Sequence, residues 1–324
     1  MTTVIINNGS GYIKFGLNNQ NVPTLNTPGL LTNNYENPLS QVPIRNGTVY
    51  DWDSLTSIWE TLLSKHKIKP EEFKLLLTLP LPNFSKNKLY EILFEYFNFK
   101  SVYIGDPKCL TLYSSGRTTG LIYDCGHHLT QINPVYQGYH LDTQSKIINF
   151  GGQDLDDYLL NKITSSSHST RKITYEELHK FKHQLNKQST NKYQLPDGHT
   201  IMTSENDFSL SEILLKPSVI GKDIQNCGLQ IADTIKSCDL NTRHDLQNNI
   251  ILSGGTTLVS NFDYQLNQYL STYLNKNIKV ISYPDRQLLQ WNGASIVSEL
   301  SFFDKISISR NNYYFDNKKN LYIQ

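Results

Sequence analysis

An α/β fold is the class this sequence predicts, and three observations predict it. Short apolar runs of strand length recur along the chain, at residues 4–6, 75–79, 101–104, 120–123, 250–252 and 278–281. Between them lie longer segments whose apolar residues return at helical spacing, as Leu55, Ile58, Trp59, Leu62 and Leu63 do. Several of the strand-like runs open directly into glycine turns. Strands alternating with helices through such turns give a layered α/β architecture. At 324 residues the chain can bury a substantial core in one or two lobes.

Taken in order, residues 4–6 run into Asn7-Asn8-Gly9-Ser10-Gly11 and continue through Tyr12, Ile13 and Lys14, a strand, a turn and a strand. Residues 18–40 are rich in Asn, Pro, Gly and Thr and read as an irregular surface connection. Asn46-Gly47 signals a turn, and Asp51 or Asp53 caps a helix that places Trp52 and Trp59 in the core. Residues 75–79 form a buried strand ended by Pro80 and Pro82; residues 85–97 form an amphipathic helix with Leu89, Ile92, Leu93, Tyr96 and Phe97 inward. After the strand 101–104, Pro107 suits the first turn of a helix running to Tyr113. The central stretch, residues 113–126, reads as a helix end, a Gly-bearing connector, a buried strand 120–123 and a turn at Asp124 and Gly126.

Residues 129–141 are strand-like with Gly138 in a turn, and Asp154 caps a helix through Tyr158, Leu159 and Ile163. Residues 164–170 form a Ser-rich loop with His168. A helix beginning at Thr174 carries Lys182 and His183. Helices follow at 224–238, 257–274 and 288–303, with the strand 278–281 between the last two. In the tail from Ser307, Tyr313, Tyr314, Phe315 and Tyr322 stand among polar residues, and a tail that packs poorly or binds something is expected, with packing favoured.

Thirty basic and 29 acidic residues leave a net charge of +1, so no global field argues for nucleic acid or a membrane surface. Cys109, Cys125, Cys227 and Cys238 are far apart with no Cys-x-x-Cys pair, which suits free thiols in a reducing compartment, cytosol or nucleus. The first residues lack a basic, apolar leader, and no apolar run reaches membrane-spanning length. A soluble protein, not secreted by the ordinary route, is expected.

Glycine turns at strand ends can cradle phosphate, because the backbone approaches closely and its N–H groups point at the anion, while an Asp can hold a cation. Three such turns are present: Asn7 to Gly11, Asp124 to Gly126, and Ser253-Gly254-Gly255-Thr256-Thr257. Any one alone is more often a hairpin. Their combination and order, with Leu-Tyr-Ser-Ser-Gly-Arg-Thr-Thr-Gly in the middle, Tyr-Gln-Leu-Pro-Asp-Gly-His at 193–199 and Lys-Pro-Ser-Val-Ile-Gly at 216–221, resemble the actin family essentially end to end.

The resemblance implies an actin-like ATPase fold, two ribonuclease-H-like lobes around a central nucleotide cleft. It divides the chain into a first lobe at 1–114, a second lobe at 115–288 with its outer subdomain at 151–222, and a return to the first lobe at 289–324. The first lobe's outer subdomain, 28–44, is truncated, and the tip loop that engages the next filament subunit is missing. ATP or ADP with Mg²⁺ is the implied cofactor. The nucleotide positions carried over are Gly9, Ser10, Gly11, Lys14, Asp124, Gly126, Gly152, Lys182, Gly254, Gly255 and Thr256, with Asp124 weakly holding the metal through water. Tyr113, Gly116, Thr118, Gly138, Val297 and Leu300 keep the small or apolar character of a cleft that takes a partner's amphipathic helix.

Other places depart from the family. Asn7 stands where actins carry an Asp that helps hold the metal's water shell, and Pro107 where they carry the water-positioning Gln. Gln131 stands for a His, His127 for the ribose Asp, His128 for a Gly, His183 for a Glu, Val259 for an aromatic and Gln287 for a Lys. Lys222 puts a charge in an otherwise apolar filament loop, and Ser307 replaces a Trp. No catalytic residue is assigned. A divergent actin-related protein of the cytoskeleton, cytoplasmic or nuclear, is expected, hydrolysing nucleotide poorly and acting with other actin-family subunits or actin-binding proteins. The alternatives are a conventional ATP-binding, filament-forming actin-like protein and, last, a small-molecule kinase. The glycines also have an explanation in turn geometry without any ligand.

Overall fold

The computed structural model describes residues 2–28, 42–81, 84–166, 178, 181–182, 192–194, 200–202, 209–274 and 278–321. The chain divides into two units, Met1–Thr118 with Leu288–Gln324, and Thr119–Gln287.

The first unit is built on a six-stranded sheet. Its strands lie in the order Ile308–Ser309, Ser101–Ile104, Lys74–Thr78, Thr3–Asn8, Tyr12–Leu17 and Leu25–Pro28. The three strands Ser101–Ile104, Lys74–Thr78 and Thr3–Asn8 are parallel, and antiparallel strands flank them. Parallel neighbours require long crossovers, and the helix Trp52–Lys65 lies in the first of these. Thr3–Asn8 is buried at every residue because helices cover both sheet faces. Val4 and Ile6 join Phe15, Trp59, Leu75 and Leu93 on one face. On the other, Ile5 joins Leu76, Leu110, Trp291, Ala294 and Val297. The helix Leu289–Glu299 crosses Pro107–Ser114 so closely that a Cβ on Gly293 would stand 1.9 Å from the Leu110 carbonyl oxygen.

Helix starts follow local chemistry. Asp51 accepts from the Ser54 N–H at 3.0 Å, and Asp106 accepts from the Lys108 N–H at 2.9 Å with Pro107 in the first turn. The segment expected as one helix at 85–97 begins as Lys86–Glu91 and widens into a π turn at Ile92–Tyr96. That expected at 288–303 ends at Glu299, with a separate turn at Phe303–Ile306. Of the tail's aromatics Tyr313 packs, while Tyr314 is 41% and Phe315 60% exposed, and Tyr322 lies outside the described residues. Ile308–Ser309 pairs with the sheet edge and leads into the helix Arg310–Leu321, where Tyr313 stacks on Phe94 at 4.8 Å and donates to Glu95 at 2.7 Å.

The second unit carries its own sheet, in the order Tyr139–His140, Thr130–Tyr136, Gly120–Cys125, Ile250–Ser253 and Val280–Ile281, with Lys146–Ile148 also paired to Thr130–Tyr136. Leu121, Tyr123 and Cys125 face a core filled by Leu155, Leu159, Ile213, Ile231, Phe262 and Leu266 from the covering helices. The central strand extends two residues past its expected end, through Asp124 and Cys125. Asp154 does not precede its helix: Gly152–Ser166 starts earlier, and the Asp154 carboxylate reaches back to the Gly151 N–H at 2.9 Å. The helix expected at 257–274 is broken by Asn261 at φ +61°, leaving a 3-10 turn at Gly255–Leu258 and the helix Phe262–Tyr273. That expected at 224–238 is Cys227–Ser237. The helix Leu240–Gln247 had no sequence signal, since Leu246 is buried while Leu240 is 76% exposed.

The expected outer subdomain at 28–44 falls mostly on residues 29–41, outside the described residues, as do His168, Thr174, His183 and the turn at 195–199.

Candidate functional site

The first glycine turn lies at the end of Thr3–Asn8. Because that strand runs parallel to Lys74–Thr78, Asn7 lies beside Thr78 in the register. The Asn7 side chain, 2% exposed, donates through Nδ2 to Thr78 Oγ1 at 2.6 Å and to Gln290 Oε1 at 2.9 Å. Both hydrogens of the amide are thereby engaged. Asn8 is held in turn: its Nδ2 donates to the Thr78 carbonyl at 2.9 Å, and its Oδ1 accepts from the Trp59 indole at 2.9 Å. Trp59 therefore has a polar duty beside its packing.

Past the strand, the Gly9 N–H donates to the Tyr12 carbonyl at 3.1 Å, and a Cβ there would lie 2.7 Å from that oxygen. Among the described residues none accepts from the Ser10 or Gly11 N–H. Lys14 is the register partner of Asn7 and shares its face of the sheet.

In the second unit the other two turns interlock with the start of the helix Gly152–Ser166. The Gly126 N–H closes its own turn on the Leu129 carbonyl at 2.8 Å. The Gly126 carbonyl accepts from the Gly152 N–H at 3.0 Å and from Thr256 Oγ1 at 2.7 Å, and the His127 carbonyl accepts from the Gln153 N–H at 2.7 Å. Amides at a helix N-terminus commonly offer themselves to an anion; these two are held by the chain's own carbonyls. The glycines permit that closeness. A Cβ on Gly151 would stand 2.6 Å from the His127 oxygen, and one on Gly254 only 2.2 Å from the Cys125 oxygen, where φ is +86°.

The charges around these turns are largely paired. Lys182 donates to the Gly152 carbonyl at 3.1 Å and to Asp156 at 2.7 Å, and the Asp156 side chain also lies 4.0 Å from His127 Nδ1. The rings of His127 and His128 meet edge to face at 4.7 Å. Lys222 pairs with Asp154 at 2.6 Å, and this contact raises the lysine's affinity for its proton. Asp124, half-buried, is opposite Gln131 in the strand register, and Ser253 flanks it on the other side. Burial pushes the Cys125 thiol up to about 12 although Thr130 donates to it, and pushes Cys227 up as well.

Arg286 was not singled out from the sequence. It is 8% exposed and donates to Thr257 Oγ1 at 3.0 Å, to the Thr257 carbonyl at 2.6 Å and to the Tyr283 carbonyl at 3.0 Å. It thus braces the 3-10 turn that carries Gly255 and Thr256. Its Pro-Asp-Arg context at 284–286 was the available signal.

The first unit therefore holds Gly9, Ser10, Gly11 and Lys14, and the second holds Asp124, Gly126, Gly152, Lys182, Gly254, Gly255 and Thr256. Of the residues expected at a partner's cleft, Val297 is buried, and Tyr113 packs against the cluster to which Val297 belongs. Leu300 is 38% exposed, while Gly116 and Gly138 take positive φ in turns.

Two α/β units, each with glycine turns at the ends of its sheet strands, define an α/β protein with the architecture of the actin-like ATPases. The family model for Actin matches residues 1–180 and 167–319. The chain is 32% identical over 290 residues to Actin-like protein 7A of Homo sapiens and 32% identical over 289 residues to that of Macaca fascicularis. Each alignment covers 84% of this chain and 66% of the relative, so the chain spans a little under two-thirds of those proteins' length. The chain belongs to the actin family.

That family implies a nucleotide with Mg²⁺. The Ser10 and Gly11 amides beside Lys14 have the chemistry that phosphate needs. The first unit's donors do not fit a tightly held divalent cation, since Asn7 brings no charge and none of Gly9, Ser10, Gly11 and Lys14 is a carboxylate. In the second unit Asp124 is the carboxylate among the carried-over positions.

Proposed function

We propose that this chain is a divergent actin-related protein that binds ATP or ADP weakly or as a structural ligand, hydrolyses it poorly, and works inside an actin-type assembly or as its regulator. The reading places it in the cytoplasmic cytoskeleton, with the nucleus as a further compartment, and gives it other actin-family subunits or actin-binding proteins as partners. No described helix is long and apolar enough to cross a membrane.

The observation that carries the proposal is the neutral amide of Asn7, with both N–H groups bonded within the chain, at the place where the family uses a carboxylate. Pro107 supports it. As the first residue of its helix it has a structural reason to be proline, and its side chain has neither donor nor acceptor with which to orient a water. The Ser10 and Gly11 amides support retention of a phosphate-binding turn.

The test combines acid extraction of the purified chain, to measure carried nucleotide, with phosphate release and pelleting assays. Substoichiometric nucleotide, phosphate release at the background rate and no pellet without a second actin-family protein are expected. Robust homopolymer pellets with phosphate release that rises with polymer would sink the proposal in favour of a conventional filament-forming ATPase.

A further inference from the structure

We infer that the neutral bridge made by Asn7 between Thr78 and Gln290 does the tying that a divalent cation and its water shell would do at that place, so that the first unit is complete without metal. Thr3–Asn8 and Lys74–Thr78 are parallel neighbours in register, so their C-terminal ends stop at one level. The first turn of Leu289–Glu299 brings Gln290 to that level. Element ends meeting in a buried place present polar groups that are costly if left unmatched.

A cation is one way to join such ends; a primary amide is another, because two donors and an acceptor sit on one planar group. Asn7 matches the hydroxyl of one strand and the side-chain oxygen of the helix at the same time, across 71 and 283 positions of sequence. Asn8 adds a second tie to the same strand end and anchors it to Trp59. None of Asn7, Thr78, Gln290, Asn8 and Trp59 is charged, so this bridge calls for no counter-ion. A carboxylate at Asn7 would be nearly as buried and would favour a nearby cation to offset its desolvation.

The inference deepens the reading given above, since it concerns the same turn. Its test is thermal melting of the whole chain in EDTA and in excess Mg²⁺. The same Tm in both is expected, and a Tm lowered in EDTA by more than about 2 °C, roughly what 1 kcal/mol gives at this size, overturns the inference. Asn7→Asp supplies a second readout. It is expected to melt below the native chain in EDTA and to regain part of the loss in Mg²⁺; melting like the native chain in EDTA overturns the inference. The two readings fail separately. Efficient hydrolysis by a chain that melts alike in EDTA and Mg²⁺ defeats the functional reading alone, whereas a nucleotide-free chain destabilised by EDTA defeats the inference alone.

Discussion

Gly293 lies against Leu110 with no room for a methyl group: a Cβ built on the glycine would stand 1.9 Å from the Leu110 carbonyl oxygen and 2.5 Å from its carbonyl carbon. The obstacle is backbone, which cannot rotate aside as a side-chain tip can. Gly293→Ala must separate the helices Pro107–Ser114 and Leu289–Glu299 and loosen Trp291, Ala294 and Val297 from Ile5 and Leu76. A loss of about 1–3 kcal/mol or more is expected in denaturant melts, from overpacking of a filled core.

Gly254→Ala distinguishes a glycine kept for packing from one kept for a ligand. At φ +86°, with Cys125 oxygen 2.2 Å from the absent Cβ, alanine is strained and crowded at once. Destabilisation of about 3 kcal/mol is expected in urea titrations performed without nucleotide. A variant as stable as the native chain there, but weakened in nucleotide binding, would reverse the assignment.

Replacing Arg286 by Leu removes three hydrogen bonds and leaves the Thr257 carbonyl and hydroxyl oxygens without that donor, whereas the Tyr283 carbonyl keeps the backbone N–H of residue 286 at 3.3 Å. The guanidinium's burial already lowers its proton affinity, so the charge is kept there at some desolvation cost. A loss of about 2–4 kcal/mol is expected, because orphaned buried acceptors outweigh the relief of burying no charge. Chemical denaturation followed by tryptophan fluorescence measures it.

The buried thiols predict an alkaline limit to stability. Cys125 is held up to about 12 against an ordinary 9.0, so between these values the unfolded chain releases its proton while the folded chain keeps it. Stability attached to this group is therefore whole below pH 9.0 and declines as pH rises toward about 12. A stability–pH profile should fall on that side, and Cys125→Ala should fall less steeply. At about pH 8, alkylation should spare buried Cys125 and Cys227 while reaching the partly exposed Cys109.

What the sequence revealed, and what it did not, follows from the range of each interaction. The strands Lys74–Thr78, Gly120–Cys125 and Ile250–Ser253 are legible because burial on both faces leaves an uninterrupted apolar run. Asp51 and Pro107 mark helix starts by local chemistry, one through a bond to an N–H three residues on, the other through a ring that suits the first turn. Asn7 stood out by its type, yet its partner Gln290 lies 283 positions away and carries no local mark. Gly293 looks like any helical glycine until the opposing backbone is seen. Asp154 was read as a helix cap although it lies three positions past the cap position, because a carboxylate reaching back from the first turn has the same sequence signature as one in front of it.

The division of the chain also sets an order of assembly. Thr119–Gln287 is continuous, whereas the first unit draws on both Met1–Thr118 and Leu288–Gln324. A nascent chain that has reached Gln287 holds every residue of the second unit, but Ile5, Leu76 and Leu110 still wait for Trp291, Ala294 and Val297. Ser101–Ile104 likewise keeps an open side until Ile308–Ser309 is made. Vectorial synthesis thus lets the unit encoded in the middle be complete first and leaves the other dependent on residues made after it.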